Sequence, residues 1–294
     1  MKRIILTKWN LKVLFFLLPL LSIEPAFSSE RMESELFVIS PGNEMILYRL
    51  RDGKIRGLNS LLPDNKYINV YWPCHSKGNK IIYFEAENKN FGLSRQIFCI
   101  ELGDKTKNPR KVVEGRRPSI SSNGKFLSYY RHPNELWMLE IDSQKEMRLV
   151  SDISDYQPAV WISEQSLLYN DKNNHLMKLD VFSNKTDNTS YDYVIPAALS
   201  PDGNRVLCGS YDGKKIFLYL IKNNKIELIK KTMFFSMGSS FVWRNDGKSF
   251  LYTRQTFANL MKFNEIQSLF LYSLKGKEQK LIDKYSLFGG LSLN

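Results

Sequence analysis

Cysteine and histidine are scarce, with three of each in 294 residues. Cys74, Cys99 and Cys208 are too few and too scattered for a disulfide framework, and an odd count leaves at least one thiol unpaired. Cys99 and Cys208 fall inside apolar strand-like stretches, where cysteine serves as a small core residue. Three histidines offer little to a metal centre, which ordinarily takes three or four ligands. Long apolar runs are also missing. The longest, residues 13–23, is interrupted by Pro19 and Ser22 and falls short of the roughly 20 residues that span a bilayer. No G-x-S-x-G elbow is present, which excludes the commonest serine-hydrolase signature. No segment carries the Ser-x-Asp-x-Gly-x-Thr-Trp loop of sialidases. Residues 170–174 are rich in oxygen ligands but lack the glycine and closing glutamate of a calcium loop. These absences point away from catalysis, and no cofactor is expected.

What is present begins with an export signal. Lys2, Arg3, Lys8 and Lys12 precede the short apolar run, and Ala26 and Ser28 place small residues three and one before a cleavage point. This is the layout of a secretory signal peptide over residues 1–28, so the chain is expected in the periplasm or outside the cell. Its removal takes three of the twelve net positive charges, and about nine remain on residues 29–294. A basic surface favours acidic partners, whether an acidic protein face or an acidic polysaccharide, and export excludes nucleic acid as the physiological one. The alternative is that lysines decorate turns and sheet edges, where they keep edges from pairing.

Internal periodicity organises the rest. A strand of alternating character, a polar turn and a second short strand recur six times, beginning at Ile46, Ile97, Leu136, Leu176, Ile216 and Leu269. Their start-to-start spacings of 51, 39, 40, 40 and 53 centre on the about 40–45 residues of one four-stranded propeller blade. With strands named a to d outward from the central channel, these are c–d hairpins. A second motif supplies the a–b turns, clearest in Ser121-Ser122-Asn123-Gly124-Lys125, Ser200-Pro201-Asp202-Gly203-Asn204 and Arg244-Asn245-Asp246-Gly247-Lys248. Asn-Gly and Asp-Gly provide the positive φ that a tight antiparallel turn requires. Degenerate copies at Trp161 and Trp72 bring the a–b turns to five, one fewer than the hairpins. The first hairpin lacks a strand a, and residues 287–294 form an orphan apolar segment similar to Pro196-Ala197-Ala198-Leu199-Ser200. The expected fold is therefore an all-β, six-bladed propeller over residues 29–294. The C-terminal strand completes the N-terminal blade and removes the free sheet edges.

The Pro-x-x-apolar-Ser-Pro-Asp-Gly stretch from Pro196 to Gly203 resembles the repeat of TolB-type propellers, with weaker copies starting at Pro118 and Pro158. The resemblance covers nearly the whole of residues 29–294 and implies a TolB-like (WD40-like) fold in the bacterial cell envelope. The chain departs from that pattern in leaving no room for TolB's N-terminal domain ahead of the blades.

In such a ring the b–c loops and d–a connections share one face. Two b–c loops are expected to be long, residues 85–96 and 254–268, and long loops on a rigid scaffold commonly carry binding function. Phe257, Leu260 and Met261 fall at helical spacing, with Phe263 nearby. Met233, Phe234 and Phe235 make an apolar run in the preceding d–a connection. These residues are expected either to form a contact surface for a protein or peptide partner or to plug the channel mouth. Arg95, Arg116 and Arg117 are the basic residues expected on the same face. His132 and His175, between strands b and c of adjacent blades, are the metal candidates, with Glu135 and Asp171 nearby. The simpler reading is two exposed loop histidines. Trp72, Trp161 and Trp243, at the ends of strands a, are expected to pack blade against blade. The expectation is a monomeric exported binding protein without catalysis; the alternative is a metal-dependent lyase or hydrolase acting on acidic polysaccharide.

Overall fold

Antiparallel hairpins account for almost all of the chain. The computed structural model describes residues 35–39, 44–63, 66–75, 80–88, 94–103, 106, 108–154, 157–231, 241–255, 266–286 and 291–293. Residues 1–28, where a signal peptide is expected, lie outside these residues. The strands belong to the unit Glu33–Asn294.

Six sheets follow one another along the chain. The first contains β1 (Glu35–Ile39), β2 (Ile46–Arg51) and β3 (Lys54–Ser60). The second contains β4 (Tyr67–Cys74), β5 (Ile81–Asn88), β6 (Arg95–Glu101) and β7 (Arg110–Glu114). The third contains β8 (Arg116–Ile120), β9 (Phe126–Arg131), β10 (Glu135–Glu140) and β11 (Lys145–Val150). In the fourth, β12 (Ile153–Ser154) and β13 (Val160–Trp161) both pair with β14 (Ser166–Asp171), which continues to β15 (His175–Asp180) and β16 (Lys185–Asp192). The fifth contains β17 (Val194–Leu199), β18 (Arg205–Ser210), β19 (Lys215–Leu220) and β20 (Lys225–Lys231). The sixth contains β21 (Phe241–Trp243), β22 (Ser249–Gln255), β23 (Ile266–Ser273) and β24 (Glu278–Ser286). The last strand, β25 (Leu291–Leu293), pairs antiparallel with β1, Val38 opposite Ser292. Innermost strands meet in a closed circuit: β25 approaches β4, β4 approaches β8, and the series returns through β13, β17 and β21 to β25. The chain is a six-bladed, all-β propeller closed by its C-terminal strand, as the repeat count predicts. Among the described residues no helix is long and apolar enough to cross a membrane.

The a–b turns show why their motif takes the form it does. The Ser200 hydroxyl donates to Asp202 Oδ1 at 2.5 Å and accepts from the Arg205 amide at 3.0 Å. The Gly203 amide bonds the Ser200 carbonyl at 2.9 Å, with Gly203 at φ +71°, a region that favours glycine. Ser121, Asn123 and Gly124 repeat this network in the third blade. Each turn is thus a self-contained set of satisfied polar groups that can form before the blades assemble.

Apolar side chains gather between blades. Val38 and Met45 of the first blade pack with Tyr67, Phe84 and Phe98 of the second, and each later seam has its own cluster. At the closing seam Leu50 meets Leu251 and Leu269. Because b strands are covered on both sides, they read as continuous apolar runs, as in Leu167 to Tyr169. Trp161 donates to the Ser119 carbonyl and Trp243 to the Ala198 carbonyl, each reaching the innermost strand of the preceding blade, as expected. Two further contacts latch the closing seam. Glu35, 5% exposed, accepts from Arg244 Nε at 2.5 Å and from the Asn245 amide at 2.9 Å, and Gln279 donates to the Gly53 carbonyl at 3.0 Å.

The expected long loops are shorter than 85–96 and 254–268. β5 runs on to Asn88 and β6 begins at Arg95, with Glu87 opposite Arg95 in register. Gln255 likewise pairs with Gln267. Charged residues that read as loop are carried in strands because opposite charges face each other across the pair.

If closure is what holds the ring, a chain ending at Ser286 should expose the β1 edge and aggregate, its melting temperature lowered by at least several degrees. Glu35→Ala should lose about 2–3 kcal/mol by leaving the largely buried Arg244 with only its longer contact to Asp246, measured by urea unfolding.

Candidate functional site

The second and third blades meet around a buried carboxylate, as the sixth and first do around Glu35. Glu85, midway along β5, is 0% exposed. Its Oε1 accepts from Arg95 Nη1 at 3.0 Å and its Oε2 from the Arg117 amide at 2.8 Å. Burial pushes the Glu85 carboxyl above its ordinary value, while the Arg117 amide and the Arg95, Arg117 and Arg116 guanidinium groups pull it partly back.

The innermost strands around this carboxylate are distorted. The register of β4 against β5 shifts between Ile68 and Tyr71 and again between Tyr71 and Cys74, and that of β8 against β9 shifts between Arg116 and Ser119. Asn69, Trp72 and Arg117 take left-handed backbone at φ +52°, +52° and +53°. For a bulky residue such as Trp72 this stores on the order of 1–3 kcal/mol. Bulges re-aim side chains, and here they bring arginines over aromatic rings. Arg95 lies 5.7 Å from the Tyr71 ring centre and Arg117 5.9 Å from that of Trp72. Trp72 thus meets the next blade through the Arg117 guanidinium, where Trp161 and Trp243 bond carbonyls of the preceding blade.

Above Glu85, on the b–c and d–a face, is a cavity of about 380 Å³ lined by Arg95, Glu114, Gly115, Arg116, Tyr130, Arg131 and His132. Arg131 donates through Nε to the Glu114 carbonyl at 3.2 Å, pairs with Glu146, and lies 4.6 Å from the Trp137 ring centre. Gly115 forms the tightest part of the wall. A Cβ there would lie 2.6 Å from the Tyr129 ring and 2.9 Å from the Tyr130 carbonyl.

Of the residues expected at a binding site, Arg95, Arg116 and Arg117 converge at this seam. Met233, Phe234, Phe235, Phe257, Leu260, Met261 and Phe263 lie outside the described residues. The two candidate histidines have different surroundings. His132 lines the cavity, whereas His175 bonds Asp171 through Nδ1 at 2.8 Å and lies 3.7 Å from Asp192. The hydrogen bond that His175 donates to Asp171 raises its pKa, which favours a proton over a metal ion on that ring. Among the described residues no three His, Cys, Asp or Glu side chains gather as a metal site. All three cysteines are free thiols, and burial raises that of Cys74 to about 12. Sequence reasoning missed Glu85, Glu114, Gly115, Tyr130 and Arg131. One signal for Glu85 was legible: an acid that directly follows the apolar run Ile81-Ile82-Tyr83-Phe84 and precedes Ala86 needs a partner if the strand carries it into the core.

Known structures share this arrangement of blades. TolB from Acinetobacter baumannii matches at a TM-score of 0.66 and 13% identity, covering 88% of this chain and 66% of that one. A structure described as TolB from Agrobacterium tumefaciens matches at 0.61 and 13%, covering 88% and 94%. The fold is the TolB-type propeller. A chain of a nidogen/laminin complex matches nearly as well, at 0.65 and 10%, covering 88% and 98%. No family profile matches the sequence, and no curated protein matches it. The present chain spans just under two thirds of the A. baumannii protein, 66%. TolB-type blades recur with different partners, so the fold alone selects no function.

Two outcomes test the seam. Gly115→Ala should destabilise the protein by about 2 kcal/mol, since the ring and carbonyl beside it must shift, read from denaturant unfolding. Glu85 holds its proton more tightly folded than unfolded. Its contribution to stability is therefore fully present below the ordinary carboxylate value near about 4.3 and is lost as pH rises above it. The stability of the native protein relative to Glu85→Gln should accordingly fall as pH rises above the ordinary carboxylate value, and a difference that grows with pH contradicts the assignment.

Proposed function

We propose that this protein is an exported binding protein of the cell envelope or the extracellular space, which presents its b–c and d–a face to a protein or peptide partner and performs no catalysis. The observation that carries the reading is the arginine-lined cavity on that face. Three guanidinium groups and a histidine line an opening in which Glu114 is the opposing acid. The buried Glu85, the bulged innermost strands and the left-handed Trp72 and Arg117 lie beside the arginines of this cavity, and such features often accompany working sites. The fold is compatible with such a role. TolB-type blades occur in envelope proteins, and another match, the chain of the nidogen/laminin complex, comes from a protein–protein assembly. Periplasmic or secreted placement rests on the basic segment, short apolar run and Ala26-x-Ser28 spacing of the first 28 residues.

Affinity capture from the envelope and culture fractions tests the reading. Tagged native protein should emerge with its N-terminus at Ser29 and retain a discrete protein at stoichiometric yield. Arg116→Glu, folded normally by circular dichroism, should retain at least tenfold less of it. Equal retention by the variant would remove this face as the docking surface.

A further inference from the structure

The cavity lining converges on one ligand chemistry. A guanidinium has five N–H donors in a planar fork that matches the two oxygens of a carboxylate. Arg95 uses Nη1 on Glu85 and directs Nε toward Glu87 at 3.7 Å, and Arg131 uses Nε on the Glu114 carbonyl and Nη2 on Glu146. Each arginine is therefore held from behind by the protein's own acceptors, and each keeps further N–H groups. The Tyr71 and Trp137 rings lie beside these guanidinium groups, with ring centres 5.7 and 4.6 Å away. Arg95 retains 44% side-chain exposure, so its remaining donors are reachable from solvent. Holding both forks in advance lowers the ordering cost of binding. The volume, about 380 Å³, exceeds what a bare carboxylate fills and leaves room beside Tyr130 for the residue that carries it.

We infer that the cavity is a carboxylate-capture site. It takes one carboxylate of a partner polypeptide, either the free C-terminus or an aspartate or glutamate side chain, on the guanidinium groups of Arg95, Arg116 and Arg131. The inference rests on the reading of this face as the docking face, and it adds the chemistry that the partner must present. No bond is made or broken. Selectivity arises because a neutral amide would displace water from the arginines without supplying the negative charge that their exposed donors pair with.

Titration of the full processed chain, followed by NMR at the His132 ring and the Gly115 amide, tests this directly. The probes are N-acetylglycine for a C-terminal carboxylate, N-acetyl-aspartyl methylamide for a side-chain carboxylate, N-acetylglycinamide as the neutral control, and inorganic phosphate. One or both carboxylates should give saturable shifts with a Kd on the order of 1 mM. Whichever binds tighter identifies the source. Arg95→Gln should weaken that binding at least tenfold, and Arg148→Gln, an exposed arginine outside the cavity, should leave it unchanged. Equal shifts with the neutral amide, binding of phosphate alone, or no saturable shift would each overturn the inference. Carboxylate binding with full partner retention by Arg116→Glu would refute the docking-face reading and leave the carboxylate site standing. Partner loss without carboxylate binding would do the reverse.

Discussion

The pairing of three C-terminal residues, Leu291 to Leu293, with the first strand is the contact on which the rest of this structure depends. Apolar side chains are buried at the seams between blades, so a blade has no complete core of its own and needs a neighbour on each side. Only a closed circuit satisfies that requirement for every blade. In an open arc the two end blades would each present an apolar face and an innermost strand edge to water. The closing seam accordingly carries more than packing, with Glu35 gripping Arg244 and Asn245, and Gln279 reaching Gly53.

The same construction explains where chemistry can collect. A seam between rigid sheets is a place where a charge can be buried if it is paired within its own blade and hydrogen-bonded by the next, and Glu85 with the Arg95 guanidinium and the Arg117 amide is such a case. The bulged innermost strands and the left-handed residues Asn69, Trp72 and Arg117 lie around it. A fully buried carboxylate supported by strained backbone costs stability, and the return is a set of guanidinium groups whose directions are set before any ligand arrives. Elsewhere Arg205 spans from its own turn to the Gly247 carbonyl and the Trp243 ring, an arrangement that satisfies the arginine and joins two blades.

Much of the fold was legible in the residues. The hairpins starting at Ile46, Ile97, Leu136, Leu176, Ile216 and Leu269 fall on β2, β6, β10, β15, β19 and β23, because alternation and turn chemistry are local properties. The Ser-x-Asp-Gly and Ser-x-Asn-Gly turns were equally plain, since their hydrogen bonds close within six residues. Less of the site could be read. Arg95, Arg116 and Arg117 stood out by charge and by their expected face. Glu85 was assigned to a loop because its cationic partners lie 10 and 32 residues away. Arg131 and Tyr130 were overlooked because nothing local links them to Arg95.

By itself, then, the sequence determined the number of blades, the turns that begin them and the strand that closes the ring. Each of these follows from short-range periodicity and from a count of strands that must all be paired. Only the tertiary structure decided that the arginines of two blades surround one buried glutamate, and that Trp72 meets its neighbouring blade through Arg117. The reason is the bulging of β4 and β8, which turns side chains away from the strict alternation of an ideal strand and toward the neighbouring blade. Such a shift is set by what the adjoining sheet presents, and no stretch of either blade records it alone.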